Sequence, residues 1–371
     1  MVTLTGIFTA ARIILTYGPG FALIFLLNRA IEIERPDIVD HHHRVHDLHP
    51  DDGYDTYDFI VIGGGSAGAA VAARLSEVQK WSVLLLEAGP DETYISDVPQ
   101  LFPTLQQSEL DWNLSFVIPK LITVDAIKEF TYKHDGPLYA MPACEVMAFI
   151  NSKYQDPHED WPDIQLFMAA YSDNSDGGIY SKRGSGMSHD YYANVYENII
   201  YKDTFMVVPL LMRPKSRGRI LLKSKDPYEH PLIYPNYFDH PHDLNVLIEG
   251  AKFGYYHFSR TKMMKFLNAT LNPFVIPNCM NLQYLSDDYW KCMARHYTQT
   301  IYHPVGTCKM GPKHDKWAVV DPRLKVYGVQ GLRIVDASIM PTIPTGNTNA
   351  PTIMVAEKAS DMIKEDHLGH Y

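Results

Sequence analysis

Cysteine is scarce. Cys144, Cys279, Cys292 and Cys308 are all that 371 residues contain, and no two have C-x-x-C spacing. That excludes a zinc ribbon and a redox dithiol, and four cysteines in so long a chain do not make a disulfide framework. Cys279 and Cys292 would pair only in a secreted chain, and the expectation is that they stay unpaired. Positive charge is also short: the formal net charge is -10. A surface this acidic repels phosphate backbones, which argues against nucleic acid as a partner. Internal repeats and long low-complexity tracts are absent. Long apolar runs are absent too. IILTYGPGFALIFLLN, residues 13–28, carries no charge but is broken by Gly18, Pro19 and Gly20, and it is shorter than the ~20 residues a spanning helix needs.

What is present is the balance of a globular protein, 46% hydrophobic and 20% charged, with length enough for two ordinary domains. Residues 13–28 have the length of a signal-peptide apolar region, although no A-x-A cleavage pattern follows. They read as a secretory signal or signal anchor, with a buried N-terminal helix as the alternative that Arg12 keeps open. Two N-x-[ST] sequons, at Asn113 and Asn268, are compatible with secretion. The expected location is secreted or membrane-anchored and extracellular, with membrane association through residues 13–28. DHHHRVHDLHP, residues 40–50, holds five histidines. No helical spacing surrounds them, so a solvated linker is preferred to a metal site, and no metal is expected elsewhere.

A strand is predicted at YDFIVI, residues 57–62, followed at once by GGGSAG and a run of small apolar residues at helical spacing. Gly63, Gly65 and Gly68 make G-x-G-x-x-G between strand and helix. The first glycine permits the tight turn, the second lets a pyrophosphate approach the backbone, and the third lets helix and strand pack closely. Ser66 opens the helix, whose free N–H groups would face the phosphates. A second strand, WSVLLLEAG, ends in Glu87, nineteen residues after Gly68. An acid there accepts hydrogen bonds from the adenosine ribose. Strand, triplet, helix, strand and acid in this order specify an ADP-containing dinucleotide without choosing between FAD and NAD.

At the other end, YHPVGTCKMG, residues 302–311, precedes LRIVDASIM and GNTNAPTIMVAEKASDMI. LRIVD reads as a strand ending in Asp336, with Ala337 after it. Asn349 is placed to cap a helix with Pro351 in its first turn. Ile353, Val355, Ala356, Ala359 and Ile363 give that helix an apolar face. Between the two ends, RILLKS, residues 219–224, reads as a strand, and a helix is expected from Leu244 to about Arg260.

The glycine turn, the H-x-V-G-T-C block and the D-A-S…G-N-T-N block together resemble glucose–methanol–choline oxidoreductases, most of all the insect glucose-dehydrogenase-like branch. DWPDIQ, RPKSRGRILLKS, PNYFDHPHDLNVLIEGAK and LSDDYW resemble the same branch. The resemblance implies an FAD enzyme that oxidises the CH–OH group of an alcohol or sugar and passes electrons to a quinone or oxygen. It implies that His303 takes the hydroxyl proton while the α-hydride goes to flavin N5. Asn347, eleven residues after Asp336, would align the substrate. Asp336, Ala337, Asn347, Thr348 and Asn349 would border the flavin alongside Gly63, Gly65, Ser66, Gly68 and Glu87.

Two blocks of that family's pattern do not occur: the arginine–glycine–lysine segment ending in L-G-G-S, and the G-A-x-x-S-P helix start. The chain follows the pattern through DWNLSF, near residue 116, and resumes it around DAIKEFTYKHDGPL, residues 125–138. The expected fold is therefore α/β and α+β. A discontinuous, truncated Rossmann-like FAD domain (57–120 and 301–371) brackets an antiparallel-sheet substrate domain (121–300), after a signal segment (1–30) and a linker (31–56). A sheet without its inner strands should leave apolar surface uncovered. Two alternatives stay open: a catalytically inactive secreted family member, and a nicotinamide enzyme with the same fingerprint.

Overall fold

The structure is a computed structural model that describes residues 22, 25–35, 37, 47, 56–89, 96, 98–99, 123–139, 145–175, 177–178, 182, 185–200, 202–274 and 276–369. Most of the 13–28 stretch, nearly all of the histidine-rich segment, Asn113 and Cys144 lie outside the described residues. No helix among the described residues is long and apolar enough to cross a membrane. Residues 25–34 are helical. Leu27 and Ile31 from that helix are fully buried against Val98, Phe130 and Leu138 and the short helix α2 (Val124–Lys128).

Strand β1 (Phe59–Ile62) is entered through Asp58, whose amide donates to the Ser82 carbonyl at 3.1 Å and whose carboxylate accepts from the Ser82 amide at 2.8 Å. It pairs in parallel with β2 (Val83–Leu86), in the register Phe59↔Val83 to Ile62↔Leu86. Helix α1 (Ser66–Ser76) makes the crossover and buries Ala67, Val71, Ala72 and Leu75. The helix can lie this close to the strand because Gly68 has no side chain: a Cβ there would stand 1.8 Å from the Gly63 carbonyl oxygen. Gly63 itself sits at φ 98, the left-handed region that glycine enters without strain.

The last helix of the chain completes this unit. Helix α7 (Asn349–Leu368) lays Ala356 and Ile363 into one cluster with Ala67, Val71 and Leu75 of α1. His367 then meets Phe59 and Trp81 edge to face at 5.2 and 6.2 Å. Of the apolar face expected for α7, Val355, Ala356, Ala359 and Ile363 are buried, whereas Ile353 is exposed. The preceding loops build a small core of Val320, Leu324, Ile339 and Met340 under Val355 and Ala359. LRIVD does not form the strand expected of it. Extended backbone becomes a strand only when a ladder partner is present, and here one bridge, Lys325↔Arg333, is all it makes among the described residues.

The middle of the chain forms an antiparallel sheet, β3 (Val146–Ile150), β4 (Ile164–Ala169) and β5 (Met206–Leu211), in the order β3-β4-β5. Helix α4 (Pro241–Phe253) packs on one face, where Val246 meets Ile164 and Leu166. Gly250 permits this contact, since a Cβ there would lie 2.8 Å from Pro209 and 2.9 Å from Ile164. The buried Asp243 pins the loop before the hairpin by accepting hydrogen bonds from the Lys215 and Ser216 amides, both at 2.8 Å. RILLKS contributes only its first half, β6 (Arg219–Leu221), paired with β7 (Leu232–Tyr234). After the short helix α5 (Lys262–Phe266), a satellite core joins α3 (His189–Val195) to α6 (Asp287–Tyr297).

Cys279 and Cys292 are joined in a disulfide, contrary to the expectation of free thiols. The spacing of thirteen residues was uninformative alone. The fold decides it by setting a turn at Pro277–Cys279 against α6, with the two Cα atoms 5.9 Å apart, well inside bonding reach. Cys308 is free and half-buried.

Candidate active site

The tertiary structure brings His303 and Asn347 together across 44 residues of sequence. Asn347 Nδ2 lies 2.9 Å from His303 Nε2. The other imidazole nitrogen, Nδ1, is 2.9 Å from the Thr348 hydroxyl oxygen. An amide N–H can only donate, so Nε2 is the accepting nitrogen and Nδ1 carries the proton that goes to Thr348. The imidazole is thus neutral, with a basic lone pair at Nε2. Half-burial pushes its pKa below the ordinary value of 6.5, and burial is the whole cause: no charged group acts on it among the described residues.

Thr348, not Asn349, occupies the N-cap position of α7, and its side chain makes no capping bond. The physical reason is competition. A hydroxyl turned toward His303 cannot also reach the helix amides, so the positive end of α7 is left without a side-chain cap beside the histidine. Asn349 is the first residue of the helix proper. Asp336 caps a one-turn helix over Ala337–Ile339, its carboxylate accepting from the Ser338 amide at 2.7 Å. Asp336 is exposed and Ala337 half-buried.

The second sheet contributes side chains that the sequence alone did not single out. Gln165 on β4 is 3% exposed, and its Nε2 points at Asn347 Oδ1, 3.5 Å away. The indole N–H of Trp161 donates to the Thr345 hydroxyl at 2.8 Å. The Arg213 guanidinium lies 3.9 Å over the Trp161 ring. The available signal was a glutamine inside IQLFMA, a polar residue where a strand is otherwise apolar.

At the glycine turn, Gly65 is the N-cap of α1 and offers no side-chain cap, so the first amides of the helix are open to an anion. A Cβ on Gly65 would meet nothing within 4 Å. Ser66, the first residue of α1, is exposed. Glu87 reaches back to the turn, its carboxylate accepting from the amides of Gly64 and Gly89. Those bonds hold its pKa below the ordinary carboxylate value. The carboxylate therefore stays ionised and exposed, with lone pairs left for hydroxyl donors. These features fit an ADP-containing dinucleotide: open backbone at Gly65, an uncapped helix and an ionised acid at the end of β2.

Among the described residues, Cys279, Cys292 and His296 are the group within metal-binding reach of one another. Both sulfurs belong to the disulfide, which leaves no thiolate for a metal.

Residues 214–356 match the family model of GMC oxidoreductases. The chain is similar to the glucose dehydrogenase (FAD, quinone) of Drosophila melanogaster, 36% identical over 236 residues, covering 64% of this chain and 35% of that protein. It is also similar to the alcohol dehydrogenase (acceptor) of Pseudomonas putida, 46% identical over 163 residues, covering 44% of this chain and 28% of that protein. Among solved structures, a formate oxidase of Aspergillus oryzae superposes with a TM-score of 0.51 at 25% identity. That match covers 67% of this chain and 42% of the oxidase. The matched region spans about a third of the length of these curated relatives.

Proposed function

We propose that the chain is a member of the GMC oxidoreductase family and an FAD-dependent oxidoreductase acting on the CH–OH group of an alcohol or sugar. The observation that carries the proposal is the bond between His303 Nε2 and Asn347 Nδ2. It leaves a neutral imidazole with its lone pair beside the amide donor that a substrate oxygen needs. When bound, FAD supplies the acceptor for the substrate's α-hydride and hands the electrons to a quinone or oxygen.

A hydroxyl entering between the two side chains gives its proton to His303 Nε2 and accepts a hydrogen bond from Asn347 Nδ2. Thr348 holds the ring by its other nitrogen. The uncapped amides of α7 favour negative charge developing near that helix end. Gly63, Gly65, Ser66, Gly68 and Glu87 would hold the adenosine and pyrophosphate. Asp336, Ala337, Asn347, Thr348 and Asn349 would border the flavin end.

Location is part of the same proposal. The Cys279–Cys292 disulfide forms and persists in oxidising compartments, which supports a secreted or membrane-anchored extracellular protein. The second reading, a family member with little or no turnover, also has an observation behind it. Among the described residues the β1–β2 sheet has two strands, and Ile60 and Ile62 on its open side are 57% and 82% exposed. A flavin domain with internal strands missing would look like this, and we expect weak flavin binding and slow turnover from this form.

The test separates the cofactor from the catalysis. Calorimetry with ADP and with FAD should show binding by the unaltered chain and none by Gly65→Leu. A Cβ at Gly65 meets nothing within 4 Å in the free fold, so the substitution acts on the approach of a pyrophosphate, and a circular-dichroism spectrum like that of the unaltered chain should accompany the loss of binding. Gly68→Ala should instead unfold the unit by driving a methyl group into the Gly63 carbonyl. Equal ADP affinity in Gly65→Leu refutes the dinucleotide site.

A further inference from the structure

We propose that Gln165 is a positioning residue that fixes which end of the Asn347 amide faces His303, and so sets the tautomer of the imidazole. The two ends of an asparagine amide have nearly the same shape and opposite hydrogen-bonding character. With Nδ2 toward His303, Nε2 keeps a free lone pair. With Oδ1 toward His303, Nε2 must carry a proton, and the ring has no base on that side.

Thr348 cannot make this choice. A hydroxyl accepts from Nδ1–H or donates to a bare Nδ1 equally well, so the contact at 2.9 Å is compatible with either tautomer. The choice falls to whatever meets the far end of Asn347, and that is Gln165 Nε2, a donor, at 3.5 Å from Oδ1. Gln165 is itself oriented. Its Nε2 lies 3.2 Å from the thioether sulfur of Met147, a weak acceptor that its own carbonyl end would not satisfy. Met147 pairs with Phe167 and Gln165 with Phe149, which makes Met147 and Gln165 diagonal neighbours on one face of β3–β4. The order passes from Met147 through Gln165 and Asn347 to His303. Gln165 is nearly fully buried, so its own amide has little water to turn to, and it is a protein donor that meets Oδ1 of the exposed Asn347. On the His303 side, the imidazole's bonded partners are Asn347 and Thr348, both uncharged, and its titration answers to burial alone.

The catalytic consequence rests on the base role proposed above for His303. The tautomer itself is read with no flavin and no turnover, so the two ideas fail separately. The experiment is long-range ¹H–¹⁵N NMR of the full chain labelled at histidine, with His303→Gln to assign the resonance. In the unaltered chain the His303 ring should be Nδ1–H with a bare Nε2. Q165E presents a carboxylate that accepts from Asn347 Nδ2, turning Oδ1 toward the ring. The resonances should then switch to the Nε2–H tautomer, with a higher titration midpoint. Adding N347A to Q165E should abolish the tautomer switch while leaving the rise in midpoint that the new charge causes by itself. Q165M, which fills the same space without a donor, should show both tautomers. An Nε2–H ring in the unaltered chain, or an unchanged Nδ1–H ring in both Q165E and Q165M, would overturn the proposal.

Discussion

His303 is held at both ring nitrogens, by Asn347 and by Thr348, and it is half-buried. Burial disfavours the imidazolium, so the ring remains a base to lower pH than a free histidine does. The sign for activity follows from the role. A base works unprotonated, so kcat/KM should be flat above pH 6.5 and fall as pH drops through a value below 6.5. A pH profile of alcohol-dependent dye reduction checks this, and an acid limb centred above 6.5 would contradict the buried neutral imidazole. His303→Ala should lower kcat by roughly 10²–10⁴, the usual contribution of a general base, while flavin absorbance per chain stays the same. Loss of flavin together with activity would instead make His303 a structural residue.

Among the elements, α6 shows how one covalent link holds a short helix in place. The satellite core around Tyr192, Tyr196 and Tyr289 is closed by the bond from Cys279 to Cys292, thirteen residues apart. Closing a loop of this size lowers the entropy of the unfolded chain, a stabilisation of about 3 kcal/mol. Cys292→Ser should therefore lower the urea midpoint. Reductant should shift the unaltered chain toward the mutant's midpoint and leave the mutant itself unmoved. If reductant shifts both alike, another mechanism is at work. Helix α7 illustrates a second point at this scale: its N-terminus is left without a side-chain cap so that Thr348 can hold the histidine. A stabilising contact is given up where the site needs the hydroxyl.

Across the whole molecule, segments nearly three hundred residues apart meet in one core, α7 against α1, with the β3–β4–β5 sheet reaching the loop before α7 through Gln165 and Trp161. The β1–β2 face turned away from α1 stays open at Ile60 and Ile62, an apolar surface of the kind that needs a partner layer. Export is the molecular-scale prediction. Asn268 is exposed, and its sequon is accessible in the folded state, so expression in a eukaryotic secretory host should yield a glycosidase-sensitive mass there. An unglycosylated cytosolic product would refute the proposed location. Asn113, the other sequon, lies outside the described residues.

The dinucleotide turn was legible in the sequence because its determinants are local. Gly63, Gly68 and the strands on either side lie within one βαβ stretch, and backbone sterics alone require those glycines. The helices α1, α4 and α7 were legible for the same reason, through the spacing of their apolar residues. His303 and Asn347 were named through a resemblance, since nothing in their separation of 44 residues says that they touch. Four things were decided only by the tertiary structure: the disulfide, the missing ladder of LRIVD, the diversion of Thr348 from the helix to the imidazole, and the place of Gln165 behind Asn347. Each depends on which distant segment arrives beside it. A hydrogen-bonding group or thiol takes the partner that folding brings within about 3 Å, and local sequence does not encode that encounter.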